Sequence, residues 1–122
     1  MAEHGSAISI YTDGSKSDSG VGYAVAGLPI ALQNSLNHRA SVYTAELLAI
    51  KSALDQIVLL NLKNVVIYTD SRSSLEAVKQ FYPTNAIVND IRLALHNLKK
   101  RKVRVTLCWI PSHIGVEGNE KS

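Results

Sequence analysis

The chain has 122 residues, of which 46% are hydrophobic, enough for one compact domain with a sizeable core. Thirteen basic and 10 acidic residues give a net charge of +3, which suggests a polyanionic partner but is too small to establish one. The single cysteine, Cys108, excludes an internal disulfide and a cysteine-rich zinc module. No apolar run approaches the roughly 20 residues of a membrane span, and the first six residues lack the apolar stretch of a secretory signal. We therefore expect a single soluble domain over residues 1–122 that is intracellular, either nuclear or cytoplasmic.

The first third of the chain predicts three short strands. Residues 7–12 are β-prone and stop at the turn-like sequence Asp13-Gly14-Ser15. Residues 20–27 and 30–36 are two further short apolar runs. Their spacing predicts three strands in antiparallel succession.

The remaining two thirds alternate between helical and strand patterns. Apolar residues recur at three- and four-residue steps in the helical segments, and a continuous β-branched run predicts a strand buried on both faces. The predicted helices cover 43–59, 71–80 and 86–100, and the predicted strands cover 65–68 and 103–110. Either Ser71 or Ser73 is expected to cap the second helix. The order βββαβααβ predicts an α/β domain with a mixed sheet.

Three carboxylates stand at positions where such a domain binds ligands. Asp13 and Asp70 each follow a predicted strand directly, and the carboxyl ends of strands are where α/β sheets usually bind ligands. Glu46 lies in the first turn of the 43–59 helix, close to its apolar face, where burial is costly unless the charge is neutralised. Carboxylate oxygens suit Mg²⁺ or Mn²⁺. The three residues therefore predict a divalent-metal site.

Each carboxylate also has a purely structural interpretation. An Asp before Gly is usually a turn residue, an Asp after a strand often caps a helix, and a Glu in a first helical turn is favoured by the helix dipole. The combination of two strand ends and one inward helical turn favours a shared site over three separate structural roles.

Four segments of the chain resemble the type 1 ribonuclease H family. They are Tyr11-Thr12-Asp13-Gly14-Ser15, Tyr43-Thr44-Ala45-Glu46-Leu47, Tyr68-Thr69-Asp70-Ser71 and the segment HIGVEGNE at 113–120. They occur in the family's order across nearly the whole chain. Their amino-acid sequences are most similar to those of the ribonuclease H domains of non-LTR retrotransposons. The resemblance implies a ribonuclease H-like fold, a five-stranded mixed sheet with helices on both faces. It also implies cleavage of the RNA strand of an RNA–DNA hybrid by two Mg²⁺ ions, for which Mn²⁺ can substitute.

The resemblance also implies roles for individual residues. Asp13, Glu46 and Asp70 match three of the family's four metal-binding carboxylates, and His113 matches the mobile histidine that assists proton transfer or product release. Arg39 and Ser41 match positions that bind a DNA-strand phosphate in cellular members. The complete set of implied substrate contacts is Gly14, Ser15, Arg39, Ser41, Tyr43, Ser71 and Asn119.

The end of the chain departs from the family pattern and leaves two functions open. In the family, the Asn-Glu pair that matches Asn119-Glu120 leads on to Ala-Asp, and that Asp is the fourth metal ligand; here Ser122 occupies the Ala position and is the last residue. One hypothesis is a monomeric ribonuclease H, with its C-terminal helix absent or truncated, either alone or beside a reverse transcriptase in one polyprotein. The other is a catalytically impaired hybrid-binding or scaffold module. A third hypothesis, another carboxylate-metal nuclease such as an integrase, does not account for the 113–120 segment.

Basic residues are concentrated in one short segment. Five of the 13 lie within six positions, namely Lys99, Lys100, Arg101, Lys102 and Arg104. Such a cluster can bind phosphates, but cations also stabilise the end of a helix, and the sequence leaves both interpretations open. Trp109 and the tyrosines other than Tyr43 are predicted to be core and strand residues.

Overall fold

The computed structural model describes residues 7–18, 20–27, 30–37, 39–80 and 84–111. The strands are β1 (Ile8–Ser17), β2 (Gly20–Gly27), β3 (Ile30–Leu36), β4 (Asn64–Thr69) and β5 (Arg104–Trp109), and the helices are α1 (Val42–Leu59), α2 (Arg72–Lys79) and α3 (Ala86–Lys100). This order confirms the predicted βββαβααβ succession. In the described parts of the chain, no helix is both long and apolar enough to cross a membrane.

The five strands form one mixed sheet in the order β3-β2-β1-β4-β5. Strands β1, β2 and β3 pair antiparallel, as predicted, whereas β4 runs parallel to both β1 and β5. Tyr11 lies opposite Tyr68, and Thr12 lies opposite Thr69. The residues that follow these pairs, Asp13 and Asp70, are therefore brought to the same position along the sheet.

Strand β1 is longer than the sequence predicts. The segment Asp13-Gly14-Ser15, predicted to be a turn, lies inside β1, where Asp13 pairs with Ala24. The prediction was wrong because β2 offers backbone partners as far as the pair Ser17–Gly20. These ladder hydrogen bonds satisfy the backbone better than an early turn and override the local turn tendency of Asp-Gly.

The core lies between the sheet and the three helices. Ile10, Val25 and Ile67 project from the sheet and are fully buried, and α1 supplies the largest group of buried side chains opposite them, including Ile50 and Leu54. Burying one such side chain contributes roughly 1.5–3 kcal/mol. This packing holds α1 firmly against β1, and α1 carries Glu46.

All three described helices contact one another and contribute to the same core cluster, so they lie on one face of the sheet. This differs from the expectation of helices on both faces. Strand β4 accordingly buries only alternate residues, so the prediction of burial on both faces was wrong. On the other face, Tyr11 is 48% exposed and stacks on Tyr68, with ring centroids 4.9 Å apart.

Short polar side chains cap the N-terminus of each helix. Ser41 and Asn85 cap α1 and α3, and Ser71, not Ser73, caps α2 by accepting a hydrogen bond from the Ser74 amide. Two residues just after helices adopt the left-handed conformation, Asn61 (φ 55°) after α1 and Lys102 (φ 64°) after α3. This conformation costs a residue other than glycine about 1 kcal/mol or more.

Candidate active site

The three carboxylates predicted from the sequence converge in the structure. One carboxylate oxygen from each of Asp13, Glu46 and Asp70 lies within 4.8 Å of the other two. Asp13 comes from β1 and Asp70 directly follows β4. Glu46 comes from α1, but because the helix begins at Val42 and not at Tyr43, it lies just beyond the first turn and not within it as predicted. Glu46 is only 7% exposed, so a charged group has been placed in a largely buried position. We call these three residues the carboxylate cluster.

Gly14 sets the distance between α1 and β1 at this cluster. Its amide donates a hydrogen bond of 3.1 Å to Oε1 of Glu46. A Cβ atom at Gly14 would lie 2.8 Å from the backbone nitrogen of Glu46 and 3.0 Å from the carbonyl carbon of Ala45. The close approach is therefore possible only because residue 14 has no side chain.

We expect Gly14→Ala to destabilise the fold by about 1–3 kcal/mol, because a methyl group has to push the backbone of α1 away from β1. The same shift moves Glu46 away from Asp13 and weakens any cation site between them. Thermal denaturation with and without Mg²⁺ measures both effects. Ser15→Ala, on the exposed neighbouring residue, is the control and should melt like the parent. Parental melting of Gly14→Ala would contradict the packing argument.

Negative charge is crowded in the carboxylate cluster. Burial, together with the charges of Asp70 and Asp13 and a hydrogen bond with Asp70, raises the pKa of Glu46 to about 8, although the Gly14 amide acts in the opposite direction. Partial burial of the carboxyl group, whose residue is exposed overall, and the nearby Asp70 also raise the pKa of Asp13. Both shifts show that the surrounding protein does not compensate the charge of these groups. Three oxygen ligands with uncompensated negative charge fit a hard divalent cation.

Neighbouring side chains hold the backbone at Asp70. The indole Nε1 of Trp109 donates a 3.3 Å hydrogen bond to the carbonyl oxygen of Asp70. The guanidinium of Arg72 lies 4.9 Å from the centre of the same indole ring, and the Ser71 amide donates to Oγ1 of Thr69. These contacts fix Asp70 from both sides along the chain.

The sequence predicts that Trp109 is a core or strand residue. It does lie in a strand, but it is 39% exposed and its polar atom reaches the site. The signal that could have located it is the parallel register of β4 and β5, in which Trp109 pairs with Thr69 directly before Asp70. That register is not visible in the sequence.

The structure places the implied substrate contacts in different surroundings. Ser15 is exposed on β1, two residues beyond Asp13. Ser71 is buried, and its hydroxyl caps α2 and lies 2.7 Å from that of Ser74. Arg39 is exposed. His113 and Asn119 lie outside the described residues.

Gly14 lies in β1 at the carboxylate cluster, and the last two implied contacts, Ser41 and Tyr43, lie at the start of α1. Ser41 is exposed and caps the helix through a 3.0 Å hydrogen bond from the Thr44 amide. Tyr43 is partly buried and packs against the hydrophobic core. Packing therefore uses part of the Tyr43 ring and leaves only part of it for contact with a ligand.

The sheet order, the parallel pairing of β1 and β4 and the carboxylates at their edge define a ribonuclease H-like α/β domain. The sequence model of the family described as RNase H matches residues 5–122, and the chain belongs to this family. It is therefore an endoribonuclease by family membership.

Comparison with solved structures supports the same fold. The structure is similar to the crystal structure of RNase H1 from the halophilic archaeon Halobacterium salinarum NRC-1, with a TM-score of 0.63 and 17% sequence identity. The match covers 94% of this chain and 90% of the archaeal chain. No curated protein matches the sequence.

Proposed function

We propose that this ribonuclease H hydrolyses the RNA strand of RNA–DNA hybrids and requires a divalent cation, Mg²⁺ or Mn²⁺. The observation that carries the proposal is the carboxylate cluster, whose three ligand oxygens lie within 4.8 Å of one another. Asp13, Glu46 and Asp70 would hold two such cations, which would supply activation of the attacking water and stabilisation of the leaving 3′ oxygen. The expected products have 5′-phosphate and 3′-hydroxyl ends.

The residues of the cluster differ in how they are held. Glu46 is oriented by the hydrogen bond from Gly14 to its Oε1, and Asp70 is fixed through the Trp109 contact to its carbonyl oxygen. Asp13 is exposed and is therefore accessible from solvent. Ligands held in place before the cation binds lower the cost of assembling the site.

A polar groove of about 550 Å³ extends from Asp13 across β1, β2 and β3. Its lining includes Ser15, Gln33 and Asn34, whose hydroxyl and amide groups can bond to sugar hydroxyls. RNA in a hybrid presents 2′-hydroxyls in a wide, shallow minor groove, a feature of shape and not of sequence. We infer that recognition of the RNA strand is independent of its base sequence.

The remaining implied roles belong to the same proposal. Arg39 and Ser41 contact a phosphate of the DNA strand, His113 assists proton transfer or product release, and Asn119 contacts substrate. The resemblance to non-LTR retrotransposons makes a reverse transcriptase domain in the same polyprotein the proposed partner.

The test is cleavage of a labelled RNA–DNA hybrid in Mg²⁺, in Mn²⁺ and in EDTA, by this chain and by one extended past Ser122. We expect cutting of the RNA strand only when the cation is present. Duplex DNA of the same sequence is the control, and its cleavage would favour a different carboxylate-metal nuclease. If cations raise the melting temperature but neither chain cuts the hybrid, the binding or scaffold function replaces the catalytic one.

A further inference from the structure

Basic side chains from two separate connections meet at one end of the sheet. One set runs from the last turn of α3 to the first residue of β5, and Lys63 belongs to the connection from α1 to β4. The two connections are adjacent because the amide of Arg104 donates a 2.8 Å hydrogen bond to the carbonyl oxygen of Lys63. All six side chains are exposed. We name them the basic turn: Lys63, Lys99, Lys100, Arg101, Lys102 and Arg104.

The excess positive charge of the chain is concentrated in the basic turn. The seven basic residues outside it are outnumbered by the 10 acidic residues. Among the described residues, the ion pair found is Lys51–Asp55, and no side chain of the basic turn pairs with a described carboxylate. A net positive chain is therefore positive because of this one surface.

Stabilisation of the α3 helix end does not account for this surface. Lys99 and Lys100 lie in the last turn of α3 and complement its dipole, but Lys63, Lys102 and Arg104 lie outside the helix. Helix α1 has no basic residue in its last turn.

The backbone conformation of Lys102 also indicates a role for its charge. It adopts the left-handed conformation at φ 64°, at the helix C-terminus where glycine is strongly preferred. The corresponding residue after α1 is Asn61, a type that tolerates this conformation. A lysine therefore occupies a strained position where glycine or asparagine would be more stable, which favours a role for its charge.

We propose that the basic turn binds the phosphate backbone of a nucleic acid, without regard to sequence and away from the carboxylate cluster. The two sites lie at opposite ends of β4, whose six residues span about 20 Å. One strand of a duplex advances 3.4 Å per nucleotide, so this distance corresponds to roughly six nucleotides. The inference rests on the proposed function only in taking nucleic acid as the partner, since binding does not require cleavage.

The experiment measures binding of a labelled RNA–DNA hybrid of about 24 base pairs, several times the separation of the two sites, by fluorescence anisotropy in EDTA at several salt concentrations. The double variant Lys100→Gln/Lys102→Gln removes two charges from the basic turn. We expect it to bind about tenfold more weakly. The negative slope of log K against log salt should become shallower by about 2. The matched control, Lys51→Gln/Lys79→Gln, removes two charges elsewhere and should keep the parental slope.

Lys102→Gly separates binding from folding. Glycine relieves the left-handed strain, so this variant should melt at a higher temperature than the parent while binding the hybrid more weakly. Lys102→Arg keeps the charge and should bind like the parent. A loss of binding by a more stable protein cannot be attributed to unfolding.

Three outcomes would overturn the inference: unchanged binding by the basic-turn variants, equal weakening by the control pair, or loss of binding to phosphatidylserine vesicles without loss of binding to the hybrid. The last result would assign the surface to a membrane. Failure of the proposed function looks different, because the hybrid would then bind with its full salt dependence but would not be cut in Mg²⁺ or Mn²⁺.

Discussion

Asp70→Asn is expected to reduce cleavage of an RNA–DNA hybrid by about 10³-fold or more. Asparagine has nearly the same shape as aspartate but lacks the charge that would hold a cation. The Trp109 contact should remain, because it is made to the carbonyl oxygen of residue 70 and not to its side chain. Removing a negative charge next to Glu46 also relieves repulsion, so the cation-free variant should be at least as stable as the parent.

The measurement compares initial cleavage rates in Mg²⁺ with melting temperatures in EDTA. Asp55→Asn is the matched control, because Asp55 is an exposed residue paired with Lys51. It lies nine residues along α1 from Glu46, or about 13 Å. The control should cut at the parental rate. Parental cleavage by Asp70→Asn would show that the carboxylate cluster is not the active site.

The second large effect is a coupling between pH, cation binding and stability. The pKa of Glu46 is about 8 in the folded protein and has an ordinary value of 4.5, so the folded state binds more protons between these two pH values. The contribution of Glu46 to stability without a cation is therefore greatest below about pH 4.5 and falls as the pH rises towards 8. We expect a loss of roughly 3 kcal/mol across this range, less than the full shift implies because Asp13 opens the cluster to water.

A divalent cation should reverse this loss, since it neutralises the charge that becomes costly at high pH. Mg²⁺ or Mn²⁺ is thus expected to raise the melting temperature strongly at pH 8 and only slightly at pH 5. Thermal denaturation at both pH values, in EDTA and in each cation, measures this difference in melting temperature. Glu46→Gln should lose most of the pH dependence. A cation-free protein more stable at pH 8 than at pH 5 would contradict the expected sign.

Local patterns in the sequence were sufficient for the element order and for the residues of the carboxylate cluster. The three- and four-residue apolar spacing placed α1 and α3 within a residue of their observed bounds. Motifs around Asp13, Glu46 and Asp70 indicated a shared site, and the structure brings their oxygens together. These features depend on residues that are close together in the chain, or on short motifs that can be recognised in the sequence directly.

Other features depend on strand pairing and packing between distant segments. The extension of β1 through Asp13 follows from its pairing with β2, and the contact of Trp109 with Asp70 follows from the register of β4 and β5. The need for glycine at position 14 comes from a helix backbone more than 30 residues away in sequence. The preference of a residue for turns or for the core does not show which distant segment it will contact.

By itself, then, the sequence determined the class of the domain, the succession of its elements and the three acidic residues, because each is written in local periodicity or in a motif. Only the tertiary structure decided the electrostatics and the surfaces. Glu46 acquires its raised pKa from burial beside Asp70 and Asp13, and Lys63 joins the basic turn through the pairing of its connection with Arg104. Both arise because strand pairing and helix packing bring together groups that are far apart in the chain.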